Sequence, residues 1–367
     1  MKNILVSGYY GFRNSGDDAL LLAISNDLRA VCPDLSLTVL SASPVETAKE
    51  YGVRAVNRMN PFALLRELRR CDLLISGGGT LIQDRTSTKS LLYYLAVIRL
   101  AARFGKKVML YSNGIGPLKE KHRAITRRTL NRVSLITLRD PASERLLADI
   151  GVDKPEIKLT ADPAFSLEPA SDGRACALLR EAGLSDTAKT VCISVRPWKS
   201  LPSDFVSVIA ESADELCRRE NAQCVLIPMQ PETDTALCRA ISEKMTRKSG
   251  VLPPCGIRDM LAVIGKCSLC VGMRLHSLIY AVSRNVPVVG LVYDPKISGV
   301  MEYMGKKEYC PVQTVSVPIL CDAAKRAVGE NENGNETLAV LRQKAKENAS
   351  LACRLLSENA RAKGERA

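Results

Sequence analysis

Lys2-Asn3-Ile4-Leu5-Val6-Ser7-Gly8-Tyr9-Tyr10-Gly11-Phe12-Arg13-Asn14-Ser15-Gly16-Asp17-Asp18-Ala19 decides the fold. From Lys2 to Gly8 it is a short apolar run that stops at glycine. A glycine-rich loop follows. From Asp17 to Val31 the apolar residues Leu20, Ala23, Ile24 and Leu28 recur at helical spacing. Strand, glycine loop and helix in that order open a Rossmann-like unit. The loop lacks G-x-G-x-x-G, so it points to a fold and not to a particular cofactor.

The alternation continues outward. Leu35 to Leu40, Cys71 to Ser76, Lys107 to Ser112 and Ser134 to Leu138 read as strands, and Ser90 to Phe104 as an amphipathic helix. The strands run into Gly77-Gly78-Gly79-Thr80, Asn113-Gly114-Ile115-Gly116-Pro117 and Arg139-Asp140, while Leu159 precedes Thr160-Ala161-Asp162-Pro163. Strands separated by helical stretches imply a parallel sheet with helices on both faces. The pattern weakens from about Ser166 to Lys189, where Pro169, Ser171, Asp172 and Gly173 interrupt it. A second set then begins, with strands at Thr190 to Val195, Gln223 to Pro228, Ser268 to Val271 and Val286 to Val292.

The expected organisation is an N-terminal Rossmann-like domain at 1–167, a second at 168–330 and a helical tail at 331–367. The tail reads either as a solvated helix or as one that packs back on the first domain. Two such domains facing across a cleft is the GT-B arrangement. The expected class is therefore α/β, GT-B-like, an expectation by analogy.

Composition narrows the partner. Lys and Arg number 52 against 39 Asp and Glu, a formal net charge of +13 in 367 residues. An anionic partner is expected: phosphates, an acidic glycan or an anionic membrane face. Aromatics are 4 % and the basic residues are scattered, so no nucleic acid is expected. The thirteen cysteines lie mostly inside apolar runs, and Met1-Lys2-Asn3 leads directly into a strand. A reducing cytoplasm without a leader peptide is the expectation. Cys267-Ser268-Leu269-Cys270 is a lone C-x-x-C that reads as a buried strand carrying two thiols. No apolar stretch reaches membrane-spanning length. No Walker motif occurs, and two distant histidines give no metal-ligand spacing, so neither cofactor nor metal is expected.

Val271-Gly272-Met273-Arg274-Leu275-His276-Ser277 carries the candidate chemistry. It marks the end of a strand and the start of a helix. Ligands of open α/β sheets bind outside strand carboxyl ends, and helix N-termini attract anions. An Arg and one of only two histidines placed there suit an anionic substrate that exchanges a proton. The competing reading makes His276 a core histidine and pairs Arg274 with a carboxylate such as Asp294. His122, in Lys119-Glu120-Lys121-His122-Arg123, reads as part of a solvated helix face.

Gly11 to Ala19, Ser76 to Gly79, Asn113 to Pro117, Leu138-Arg139-Asp140, Ala161-Asp162-Pro163 and Gly272 to His276, in that order, resemble the polysaccharide pyruvyl transferases. The chain is similar to the bacterial type that pyruvylates a secondary cell-wall polysaccharide for S-layer anchoring. The resemblance implies phosphoenolpyruvate as donor and a ketal on two hydroxyls of a sugar. The implied acceptor is a lipid-linked glycan precursor at the cytoplasmic membrane face, with N-acetylmannosamine bridged through its 4- and 6-hydroxyls.

On this resemblance His276 is the proton-transfer group and Arg274 its catalytic neighbour. Arg196 and Lys296 are donor-binding cations, with a turn brace as the other reading of Arg196. Asn14, Asp17, Gly78, Gly79, Asp84 and Arg139 hold the acceptor, with tight turns as the other reading of the glycines. Two further readings stand beside it. The stretch from Ile264-Gly265 to Val288-Val289-Gly290 also resembles the donor region of heptosyltransferase-like enzymes, which would make the chain a nucleotide-sugar glycosyltransferase. A basic glycan- or membrane-binding scaffold is the non-enzymatic alternative. Oligomeric state is left open.

Overall fold

The structure is a computed structural model that describes residues 2–329 and 334–364. The chain divides into two compact units, residues 1–166 with 341–367, and residues 167–340.

The first unit is built on a seven-stranded parallel sheet. Its strands are β1 (Lys2–Tyr10), β2 (Leu35–Ser41), β3 (Arg54–Asn57), β4 (Leu73–Ile82), β5 (Lys107–Ile115), β6 (Leu135–Leu138) and β7 (Glu156–Leu159), in the order β3-β2-β1-β4-β5-β6-β7. The order reverses between β1 and β4, which makes their carboxyl ends the switch point where such sheets bind ligands. Side chains alternate faces along each strand. Ile4, Val6, Leu73 and Ile75 face α1 (Ser15–Val31) in one core. Leu5, Leu74, Val108 and Leu110 face α4 (Thr88–Arg103) in the other.

β4 differs from the sequence expectation. It does not stop before the glycines but runs through them to Ile82, with positive φ at Gly78 (25°) and Gly79 (77°). A Cβ on Gly78 would lie 2.8 Å from Leu20 Cδ1, and one on Gly77 would collide with the Tyr10 hydroxyl. Gly78 lets Leu20 of α1 close on the sheet and Gly77 makes room for the Tyr10 ring at the end of β1, so packing explains both.

Of the two readings of the tail, the structure takes the second. Helix α14 (Gly334–Gly364) buries Ala349, Leu351, Ala352, Leu355 and Leu356 in the same core as Ile4 and Val39. Asn348 is fully buried. Its amide oxygen accepts from the Thr160 hydroxyl at 3.0 Å and its amide nitrogen donates to the Ala345 carbonyl at 2.9 Å.

The second unit repeats the plan with six parallel strands. These are β8 (Thr190–Ser194), β9 (Gln223–Leu226), β10 (Ser249–Val251), β11 (Leu269–Gly272), β12 (Val288–Val292) and β13 (Tyr309–Pro311), ordered β10-β9-β8-β11-β12-β13. The switch point lies between β8 and β11, which pair with Gly272 opposite Ser194. No helix among the described residues is long and apolar enough to cross a membrane.

Candidate active site

In the second unit the chain turns sharply after β11. A Cβ on Gly272 would lie 2.6 Å from Ser277 Oγ and 2.7 Å from Leu278 Cδ2, so only glycine lets α11 (Leu275–Ser283) start this close to its strand. Arg274 is the N-cap residue of α11, and its carbonyl accepts from the Ser277 amide at 3.0 Å. His276 falls in the first helical turn. It is half-buried, with its ring edge-on to Tyr280 at 6.2 Å.

Arg274 is paired with a carboxylate, and the carboxylate is Asp234 rather than Asp294. Asp234 sits in the first turn of α9 (Pro231–Lys244), after β9, and has no exposed surface. Its Oδ2 accepts from Arg274 Nε at 3.0 Å and from the Gln230 amide at 3.0 Å. Its Oδ1 accepts from Arg274 Nη2 at 2.6 Å and from the Thr233 hydroxyl at 2.8 Å. Two bonds to each oxygen fill the capacity of the carboxylate. Arg274 is thus fixed by one edge of its fork. Asp294 instead serves as the N-cap residue of α12 (Pro295–Tyr303), where its side chain accepts from the Lys296 amide at 3.1 Å. This puts Lys296 in the first turn of α12, half-buried.

Arg196, just past β8, is held differently. Its guanidinium carbon lies 5.5 Å from the ring centroids of both Trp198 and Tyr293, and Nη1 donates to the Tyr293 hydroxyl at 3.3 Å. Among the described residues it has no carboxylate partner, and its buried Nε has no hydrogen-bond partner. Because β11 lies between β8 and β12, the contact from Arg196 to Tyr293 passes over the carboxyl end of β11, where Arg274 begins. The strand ends β9, β8, β11 and β12 therefore bring Asp234, Arg196, Arg274, His276 and Lys296 to one end of one sheet. Sequence reasoning missed Asp234, Gln230, Trp198 and Tyr293. The signals were present: the chain's one Trp two residues after Arg196, and an acid one turn past Pro231 at a strand end.

The first unit gathers its candidates in two clusters. At the switch point, Asn14 is the N-cap of α1 and its amide oxygen accepts from the Gly16 amide at 3.1 Å. A Cβ on Gly79 would lie 3.1 Å from Asp17 Oδ1, which places that carboxylate over the glycine. The next residue, Thr80, accepts from Arg139 Nη2 at 3.0 Å, while Nη1 donates to Asp162 Oδ2 at 2.8 Å. Arg139 is 6 % exposed, and its Nε has no hydrogen-bond partner among the described residues. Burial, the neighbouring Asp17 charge and Glu50 push the Asp18 carboxyl up to about 8. Burial first, and Asp17 next, also raise the Tyr9 hydroxyl.

The second cluster corrects the reading of His122. This histidine is not on a solvated face: its side chain is 12 % exposed, and Nδ1 bonds to the buried carboxylate of Asp84. Both Asp84 oxygens also accept from the Lys119 amide at 3.1 Å. Burial alone would raise the Asp84 carboxyl, but the bonds from His122 and Lys119 outweigh it and hold it below the ordinary range. Asp84 and its partners hold the entry to α5 (Glu120–Leu130).

A family model described as polysaccharide pyruvyl transferase matches residues 14–295. The amylovoran biosynthesis protein AmsJ of Erwinia amylovora is 22 % identical over 365 residues, covering 83 % of this chain and 86 % of that protein. Among solved structures, the UDP-GlcNAc 2-epimerase of Methanocaldococcus jannaschii superposes with a TM-score of 0.67 at 12 % identity, over 96 % of this chain and 99 % of that one. Its counterpart from Neisseria meningitidis, bound to UDP-GlcNAc, gives 0.64 at 11 % identity over 98 % and 100 %. Anabaena Alr3699/HepE in complex with UDP and glucose gives 0.59 at 12 % identity over the full length of both chains. These likenesses establish the fold, two Rossmann-like units of the GT-B type.

Proposed function

The chain belongs to the polysaccharide pyruvyl transferase family, and from that premise we propose that it transfers pyruvate from phosphoenolpyruvate to a sugar of a lipid-linked cell-wall polysaccharide precursor, closing a ketal. The proposed acceptor is N-acetylmannosamine, bridged through its 4- and 6-hydroxyls. The proposed setting is the cytoplasmic membrane face, in the service of S-layer anchoring.

The observation that carries this reading is Arg196: a half-buried guanidinium, braced by two aromatic rings and without a carboxylate partner among the described residues. Standing at the sheet's switch point, it suits a small anion with two charged ends. Lys296 is a second, point-like cation for the phosphate. Arg274, locked by Asp234, presents a fixed positive edge beside His276.

In the proposed reaction His276 gives a proton to the methylene carbon of the donor. The adjacent carbon takes on oxocarbenium character and accepts the first sugar oxygen, whose proton returns to the imidazole. Phosphate leaves, the second hydroxyl adds at the same carbon, and its proton departs with the phosphate. A positioned proton-transfer group contributes roughly 10²–10⁴-fold to such steps.

The test is to incubate the protein with phosphoenolpyruvate and a synthetic N-acetylmannosamine acceptor, following phosphate release and the ketal mass. We expect both, and we expect the His276→Ala protein to lose them while melting normally. Absence of donor consumption with every hexose acceptor, together with stabilisation by UDP- or ADP-sugars, would overturn the proposal in favour of a glycosyltransferase.

A further inference from the structure

Three large apolar side chains stand far out from the surface: Val45 at 83 %, Met59 at 73 % and Phe62 at 83 % exposure. No other exposed large apolar side chain among the described residues passes 50 %. All three follow the paired carboxyl ends of β2 and β3, where Ser41 and Asn57 are register partners. Phe62 opens α3 (Pro61–Arg70), which packs beside α4. The Tyr93 hydroxyl donates to the Arg58 carbonyl at 3.2 Å and ties the first turns of α4 to the residue before Met59. Leu92, in the second turn of α4, is 41 % exposed.

On α3 and α4 the exposed charge has one sign, whereas beside Val45 it is mixed, with Lys49 and the acids Glu46 and Glu50 all exposed. On α3 the exposed ionisable residues are Arg66, Arg69 and Arg70, and the single acid, Glu67, is buried and bonded to Arg54 and Arg66. The sequence of α4 contains no acid, and Lys89 and Arg99 lie on its exposed face. Helices with protruding Phe, Met and Leu at one end and arginines along the same outer face match an anionic bilayer: the apolar groups enter the headgroup boundary and the cations stay at the phosphates. A protein partner surface would ordinarily be depleted of uncompensated charge at its core.

We propose that the α3–α4 face of the first unit, with Met59 and Phe62 at its tip, docks on an anionic phospholipid membrane. The inference deepens the reading of a lipid-linked acceptor and rests on it for its biological sense. The tip lies at the same end of the sheet as Asn14 and Asp17, so docking would bring a membrane-tethered glycan to the acceptor-side residues.

The experiment is co-sedimentation of the full chain with vesicles of phosphatidylcholine alone or with about 30 mol % phosphatidylglycerol, at low and at physiological salt. The unaltered protein should pellet with the anionic vesicles and stay in the supernatant with the neutral ones. Met59→Ser/Phe62→Ser should lower the bound fraction at least about tenfold. Arg70→Gln/Lys89→Gln/Arg99→Gln should lower it by about a hundredfold, since each cation near an anionic surface is worth roughly fivefold.

Both variants should melt like the parent and keep its turnover on the synthetic acceptor, so a failed enzyme assay sinks the catalytic reading without touching the vesicle result. Equal pelleting of parent and variants, or no pelleting at all, would overturn the proposal. So would a dimer in light scattering that the Met59→Ser/Phe62→Ser change dissociates, because it would give this face to a second copy of the chain.

Discussion

Arg274 Nε and Nη2 grip the two oxygens of Asp234 at 3.0 and 2.6 Å, and Asp234 has no contact with solvent. Each group makes the burial of the other tolerable. Asp234→Ala should therefore destabilise the protein by about 3–5 kcal/mol, because it leaves a buried guanidinium without its counterion. Urea unfolding measures this. A loss under about 1 kcal/mol would mean that water already reaches Arg274. Asp234→Asn keeps the shape and removes the charge, so it should fall between the two proteins in stability yet still depress turnover.

Arg196 has the opposite character, since no carboxylate among the described residues neutralises it. Arg196→Gln should leave the melting temperature nearly unchanged and raise the KM for phosphoenolpyruvate by about one to two orders of magnitude, the worth of a charge-assisted pair. Arg196→Lys should recover only part, because an ammonium neither forks nor spreads its charge between Trp198 and Tyr293. Steady-state kinetics at varied donor decides it; a KM unmoved by Arg196→Gln would remove this residue from the donor site.

Asp18 gives a pH signature. Its carboxyl titrates at 3.8 in an open chain and at about 8 in the fold. Folding favours the protonated form, so the stabilising contribution is complete below pH 4 and declines as pH rises from about 4 to 8. Asp27, raised to about 6 chiefly by burial, acts with the same sign over a narrower window. Asp18→Asn removes the larger titration. Its stability advantage over the parent should grow steadily between pH 5 and pH 8, and a gap constant with pH would refute the assignment.

Gly78→Ala tests whether the glycines of β4 serve packing. The new methyl meets Leu20 at 2.8 Å on a backbone with φ of 25°. Overpacking of this kind, in a conformation that L-residues avoid, should lose about 1–3 kcal/mol in chemical denaturation. Gly173→Ala, where a Cβ meets nothing within 4 Å, is the control and should be neutral.

The central strands of both sheets were legible as apolar runs because parallel strands covered on both faces need them. The strands that escaped sequence reading were β3, β7, β10 and β13, which are the two edges of each sheet. Each has three or four residues, as in Arg54-Ala55-Val56-Asn57 and Tyr309-Cys310-Pro311, and polar or exposed positions interrupt its apolar run. An edge strand is recruited by the sheet already formed beside it, so its own sequence carries little signal.

The same logic divides the site. Arg274 and His276 announce themselves because they follow a strand and a glycine. Asp234 does not, since its importance comes from a neighbour 40 positions away. His122 was misread because the charged residues around it look solvated, and nothing local reveals that Asp84 waits 38 positions earlier to take its Nδ1.

The return of α14 to the first unit has a consequence for how the polypeptide matures. The strand face formed by Ile4, Val6, Leu37 and Val39 leaves the ribosome before the second unit is made, whereas Ala349 to Leu356, which cover part of it, are translated after that unit. Residues 167–340 have every strand of their own sheet before that moment. The later-synthesised unit is thus the first that can finish, and the earlier one must shelter an apolar surface while residues 167–340 are made, which is when chaperone contact and aggregation should concentrate.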